Sequence, residues 1–152
     1  MPGFLEARWS GGPPRPVRLA PVSFLTLAKQ RGSHAAVTAS LPDVGGVYEA
    51  VLADLARAGA QWVQIDEPAL CLDLDREIVD AFLPTYERLV HSAPGVNILV
   101  ATYFSGPRTN LPTALTLPVA ALHLDLVREP HQLDPTLDGP PAPPALPPGG
   151  VS

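Results

Sequence analysis

The sequence predicts an α/β fold built on a parallel sheet, and three observations carry that prediction. Apolar runs of strand length recur at residues 17–20, 62–66, 96–103 and 118–125. The stretches between them include helical patterns, at roughly 25 to 35 residues per strand–helix unit, the rhythm of right-handed βα crossovers. The second run, Trp62-Val63-Gln64-Ile65-Asp66, is apolar enough to be covered on both faces, as a strand inside a parallel sheet must be.

Composition narrows the class. A chain of 152 residues points to one domain, and both ends are rich in proline. About 115 residues, from Val17 to near Leu133, can contribute to a packed core. The net charge of −5 is spread along the chain without a Lys/Arg cluster, so a nucleic-acid partner is not expected. No apolar run approaches the ~20 residues of a membrane span. The first residues lack the uninterrupted apolar segment of a secretory signal, so the expected location is cytoplasmic.

In order along the chain, residues 1–15 read as an irregular lead-in. A short strand at 17–20 is ended by Pro21, which suits the first position of a brief helix over 22–29. Residues 30–40 read as a polar loop. Asp43 is the expected N-cap of a helix running to Ala58, with Val47, Val51, Leu52 and Leu55 on one face. Gly45 and Gly46 weaken its first turn by up to ~1 kcal/mol each relative to alanine. Gly59 stands where a helix-ending glycine belongs.

The central strand follows and should stop near Asp66, because Pro68 donates no ladder hydrogen bond and biases Glu67 towards an extended backbone. A second helix is expected from Asp75 to His91, with an apolar stripe of Ile78, Val79, Phe82, Leu83, Tyr86, Leu89 and Val90. Pro84 inside it predicts a bend or break. Pro94-Gly95 closes the unit. A strand at 96–103, a loop at 104–110, a short helix at 111–117 and a fourth strand at 118–125 complete the pattern. Residues 134–152 hold seven of the twenty prolines, which predicts a disordered, polyproline-like tail.

The candidate chemistry sits at strand ends. Asp66 and Glu67 lie at the carboxyl end of the central strand, where α/β sheets and barrels bind ligands. The competing reading is that they cap the next loop or pair with neighbouring bases. Cys71 is the single cysteine and reads as a small buried apolar residue rather than a catalytic thiol. His34, His91, His123 and His131 are far apart and form no metal-binding pair with each other or with Cys71. No nucleotide-cradling glycine motif occurs.

Four segments in order resemble the amino-terminal domain of cobalamin-independent methionine synthase. They are Pro16-Val17-Arg18-Leu19-Ala20-Pro21-Val22-Ser23-Phe24-Leu25, the stretch 55–74 around WVQIDEPAL, Leu99-Val100-Ala101-Thr102-Tyr103-Phe104, and 117–127 through Leu122-His123-Leu124-Asp125. The likeness covers about residues 16–133. Ala20 and Ala28 stand where that family commonly has glycine, and the tail departs from it as a frameshifted or prematurely ended reading frame would.

The resemblance implies a partial (β/α)8 TIM barrel of about four βα units, and methyl transfer from 5-methyltetrahydrofolate polyglutamate to homocysteine in the parent enzyme. It places the parent's zinc in a carboxyl-terminal barrel that this chain does not include, so no cofactor is expected here. A truncated domain without activity of its own follows. Asp66, Glu67, Tyr103 and Asp125 are the strand-end candidates for substrate binding, with loop anchoring the expected role of Asp66 and Glu67. Open barrel edges also raise self-association into an assembly module as an alternative. A uroporphyrinogen decarboxylase-like barrel is a further alternative, although no arginine-rich segment suits a polycarboxylate porphyrin.

Overall fold

The computed structural model describes residues 14–28, 34–103 and 106–125. Within them lie β1 (Val17–Leu19), α1 (Pro21–Ala28), α2 (His34–Arg57), β2 (Trp62–Asp66), α3 (Arg76–Ser92), β3 (Asn97–Ala101), α4 (Leu111–Thr116) and β4 (Ala121–His123). Two single 3-10 turns, Pro68–Cys71 and Arg108–Asn110, follow β2 and precede α4. Residues 1–13 of the expected lead-in and the proline-rich tail at 134–152 lie outside the described residues.

All four strands are parallel and stand in sequence order, β1-β2-β3-β4. The register pairs Ile65 with Val100 and Val63 with Ile98, so these four side chains share the face that the helices cover. They pack with Leu52 and Leu55 of α2 and with Ile78, Phe82, Tyr86 and Leu89 of α3 in one buried cluster. Burying each large apolar side chain contributes about 1.5–3 kcal/mol.

The same register places Val17, Leu19, Trp62, Gln64 and Asp66 on the opposite face. There Val17 is 45% exposed, Leu19 39% and Trp62 40%. The expectation that the central strand is covered on both faces therefore holds for Gln64, which is buried, but fails at Trp62. This tryptophan, at the amino end of β2, stays partly open to solvent.

The free side of β1 is chemically blunted. Pro16 and Ala20 bond to Gln64 and Asp66 of β2, so by alternation the Val17 and Leu19 carbonyls face outward. The Arg18 guanidinium donates to the Val17 carbonyl at 2.9 Å, and the Tyr48 hydroxyl of α2 donates to the Leu19 carbonyl at 2.6 Å. Side chains thus occupy the acceptors that a further strand would use.

The largest departure from the sequence pattern is α2. It starts at His34, inside the stretch expected to be loop, and Asp43 is an exposed mid-helix residue rather than the N-cap. Gly45 and Gly46 are interior, not first-turn, positions. Pro42 is tolerated because its ring is exposed while Val37 and Leu41 before it and Leu52 and Leu55 after it are buried. That burial outweighs the ~3 kcal/mol an interior proline costs.

The same balance holds in α3, which runs without a break through exposed Pro84, flanked by buried Ile78 and Phe82 and by buried Tyr86 and Leu89. Asp75 precedes α3 as its N-cap residue but makes no side-chain capping bond. Gly59 and Gly95 take the left-handed conformation, φ +87° in both, at the ends of α2 and α3. β3 and β4 are shorter than the expected 96–103 and 118–125.

Candidate functional site

The carboxyl end of the sheet gathers polar side chains from three strands. Gln64 and Asp66 are two residues apart on β2 and therefore project from the same face. Tyr103 follows β3 by two residues and comes from the neighbouring strand. The Gln64 Nε2 donates to Asp66 Oδ1 at 2.7 Å and also to the Tyr103 hydroxyl. The Tyr103 hydroxyl donates to the same Asp66 oxygen at 3.0 Å.

Among the described residues both hydrogen bonds to the Asp66 carboxylate fall on Oδ1 and none on Oδ2. Desolvation first, and then the hydrogen bond and charge of Asp66, raise the Tyr103 phenol above its ordinary pKa, which keeps it a proton donor at neutral pH. The Tyr103 ring lies 6.2 Å from that of His123 at the end of β4, tilted by 43°.

Glu67 goes elsewhere. Alternation along the extended backbone turns it away from Asp66, and it is fully buried among the helices. Its Oε1 accepts from the Ser23 backbone N–H at 2.9 Å and from the Ser23 hydroxyl, and its Oε2 accepts from the Tyr86 hydroxyl at 2.8 Å. The Ser23 oxygen in turn accepts from the Ala69 N–H at 2.8 Å. One carboxyl therefore joins α1, the 3-10 turn after β2, and α3. Burial, partly offset by these hydrogen bonds, pushes the Glu67 acid up to about 7. Burial and the facing Glu67 carboxyl also push the Tyr86 phenol well upward.

Of the four residues singled out from the sequence, Asp66 and Tyr103 come together. Glu67 is drawn into the core, and Asp125 lies two residues past β4 at the same end of the sheet. Gln64, Ser23, Tyr86 and Asn110 escaped the sequence reading. Asn110 is buried, and its Nδ2 donates to the carbonyls of Leu70 at 2.9 Å and Leu72 at 2.8 Å, which fastens the turn after β2. A polar residue inside a strand, Gln64 between Val63 and Ile65, was the one available signal. Cys71 is only half-buried, short of the full burial expected of it.

The sequence of residues 2–149 matches the family described as "Cobalamin-independent synthase, N-terminal domain". The chain belongs to the cobalamin-independent methionine synthase family. That match is wider than the stretch 16–133 over which the motifs carry the likeness. A 5-methyltetrahydropteroyltriglutamate–homocysteine methyltransferase of Mesorhizobium japonicum is 51% identical over 131 residues, which is 86% of this chain and 17% of the relative. Its namesake in Rhodopseudomonas palustris is 47% identical over the same shares, and that of Salmonella enteritidis is 46% identical over 122 residues, 80% of this chain and 16% of the relative. The chain thus spans about one sixth of the length of these curated relatives.

Among the described residues, no three His, Cys, Asp or Glu side chains converge to hold a metal ion. No described helix is long and apolar enough to cross a membrane.

Proposed function

We propose that residues 16–133 form about four βα units of an amino-terminal (β/α)8 barrel in a methyltransferase that uses 5-methyltetrahydropteroyltriglutamate and homocysteine. The observation that supports this most is the sequential order of four parallel strands, β1-β2-β3-β4, in a chain of this family. A barrel sheet continues in that order, whereas a doubly wound sheet reverses it.

In this reading Asp66, Tyr103 and Asp125 stand at the ligand-facing end of the sheet. Asp66 accepts a donor from the ligand through Oδ2 while Gln64 and Tyr103 hold its other oxygen. Glu67 anchors the strand end rather than touching substrate. The zinc-dependent activation of homocysteine belongs to residues outside this set, so the chain alone does not turn over.

The test is methionine formation by the purified chain supplied with both substrates and zinc. The expected result is no product above a no-protein control, and measurable methionine would overturn the reading. A second reading, a non-catalytic assembly module, is favoured by the exposed Val17, Leu19 and Trp62 face. Light scattering decides it, since a chain that stays monomeric removes that reading.

A further inference from the structure

At the carboxyl end of the sheet, chemistry fixes the direction of three hydrogen bonds. Gln64 is buried, and its side-chain amide lies 2.7 Å from Asp66 Oδ1. A carboxylate oxygen accepts, so the amide turns its nitrogen and not its oxygen towards it. The other hydrogen on that nitrogen goes to the Tyr103 oxygen. The Tyr103 hydrogen is then left for the same Asp66 oxygen, 3.0 Å away. All three donor hydrogens are thus spent inside the cluster, and what it has left to offer is acceptors. Asp66 Oδ2 and Gln64 Oε1 carry no hydrogen bond among the described residues.

Charge points the same way. Asp66 stands on the open face, and Asp125 lies at the same end of the sheet, two residues past β4. Arg15, before β1, is exposed and its charge is felt at Tyr103, yet no bond joins it to Asp66 among the described residues. A bound anion would meet acceptors and a negative charge, whereas a nitrogen carrying hydrogens would meet partners for them.

We propose that Gln64 is a positioning residue that, with Tyr103, presents the Asp66 carboxylate to a hydrogen-donating nitrogen of the ligand, and that the ligand's carboxylates lie elsewhere. This rests on the reading above, in which the carboxyl end of the sheet faces the ligand. Both substrates of that reading carry such a nitrogen, in the ammonium group of homocysteine and in the amino and ring N–H groups of the pterin. The triglutamate carboxylates do not qualify.

Carboxyl-carbon and side-chain amide NMR of the purified chain tests it, with two probes of similar size and opposite charge, ethylammonium and propionate, at constant ionic strength. Ethylammonium should shift the Asp66 carboxyl and Gln64 amide signals saturably, and propionate should not. Asp66→Asn should abolish that saturation, and Gln64→Leu should weaken ethylammonium binding about fivefold. Homocysteine and 5-methyltetrahydropteroyltriglutamate, titrated separately, show which of them brings the nitrogen.

Saturable shifts by propionate, or none by ethylammonium, overturn the proposal, and that comparison needs only the unmodified chain. So does a Gln64→Leu chain that unfolds more easily but binds ethylammonium as before, since Gln64 would then be structural only. A substrate that shifts other open-face signals, such as Leu19 and His123, while Asp66 and Gln64 stay unmoved, overturns the proposal and leaves the ligand-facing reading standing. Silence of the whole open face towards both substrates overturns that reading as well.

Discussion

Glu67→Ala is expected to lower stability towards urea by about 4 kcal/mol at pH 5, and by much less at pH 8. At pH 5 the substitution strips partners from the Ser23 amide, the Ser23 hydroxyl and the Tyr86 hydroxyl, all around a side chain with no exposed surface, and it opens a cavity. The pH dependence follows from the raised acidity constant. The folded chain holds a proton on Glu67 up to about 7, whereas the unfolded chain releases it near 4.5.

The stabilisation from that proton is complete below about 4.5 and is lost as pH rises to about 7, above which it is flat. The difference of about 2.5 units corresponds to on the order of 3 kcal/mol. Other carboxylates add their own slope, so the readout is wild type minus Glu67→Gln at each pH. That difference should fall by on the order of 3 kcal/mol between pH 4.5 and 8. A difference independent of pH would show that Glu67 is already ionised in the folded core.

Phe82→Ala should cost 3–5 kcal/mol, whereas the adjacent Leu83→Ala should cost less than about 1 kcal/mol. Phe82 has no exposed surface and packs in the cluster that holds Val63, Ile65, Ile98 and Val100. Leu83 belongs to the same apolar stripe in the sequence but is 40% exposed. The contrast fixes the rotation of α3 against the sheet, and denaturant unfolding of both variants measures it. Equal losses would mean that the helix presents a different face.

Where the sequence pattern spoke clearly, it did so through burial. The apolar run at residues 62–66 and the 3.6-residue stripe of α3 are the imprint of one apolar core, and both elements lie within two residues of where the pattern puts them. The start of α2 was hidden because Pro42, Gly45 and Gly46 are local helix breakers. The burial of Val37 and Leu41 that extends the helix past them depends on the rest of the fold.

The site was legible only in part. Two neighbouring carboxylates at a strand end look alike in one dimension, yet alternation sends Asp66 to the open face and Glu67 into the core. The partners that separate their roles are distant in sequence. Ser23 is 44 residues from Glu67, and Tyr103 is 37 residues from Asp66. No local pattern encodes such pairs.

The most direct test of the account is a chimaera in which residues 16–125 of this chain replace their counterparts in the Mesorhizobium japonicum methyltransferase. If these residues are four βα units of the same amino-terminal barrel, the chimaera folds and forms methionine from 5-methyltetrahydropteroyltriglutamate and homocysteine. A folded chimaera with no turnover would contradict the account.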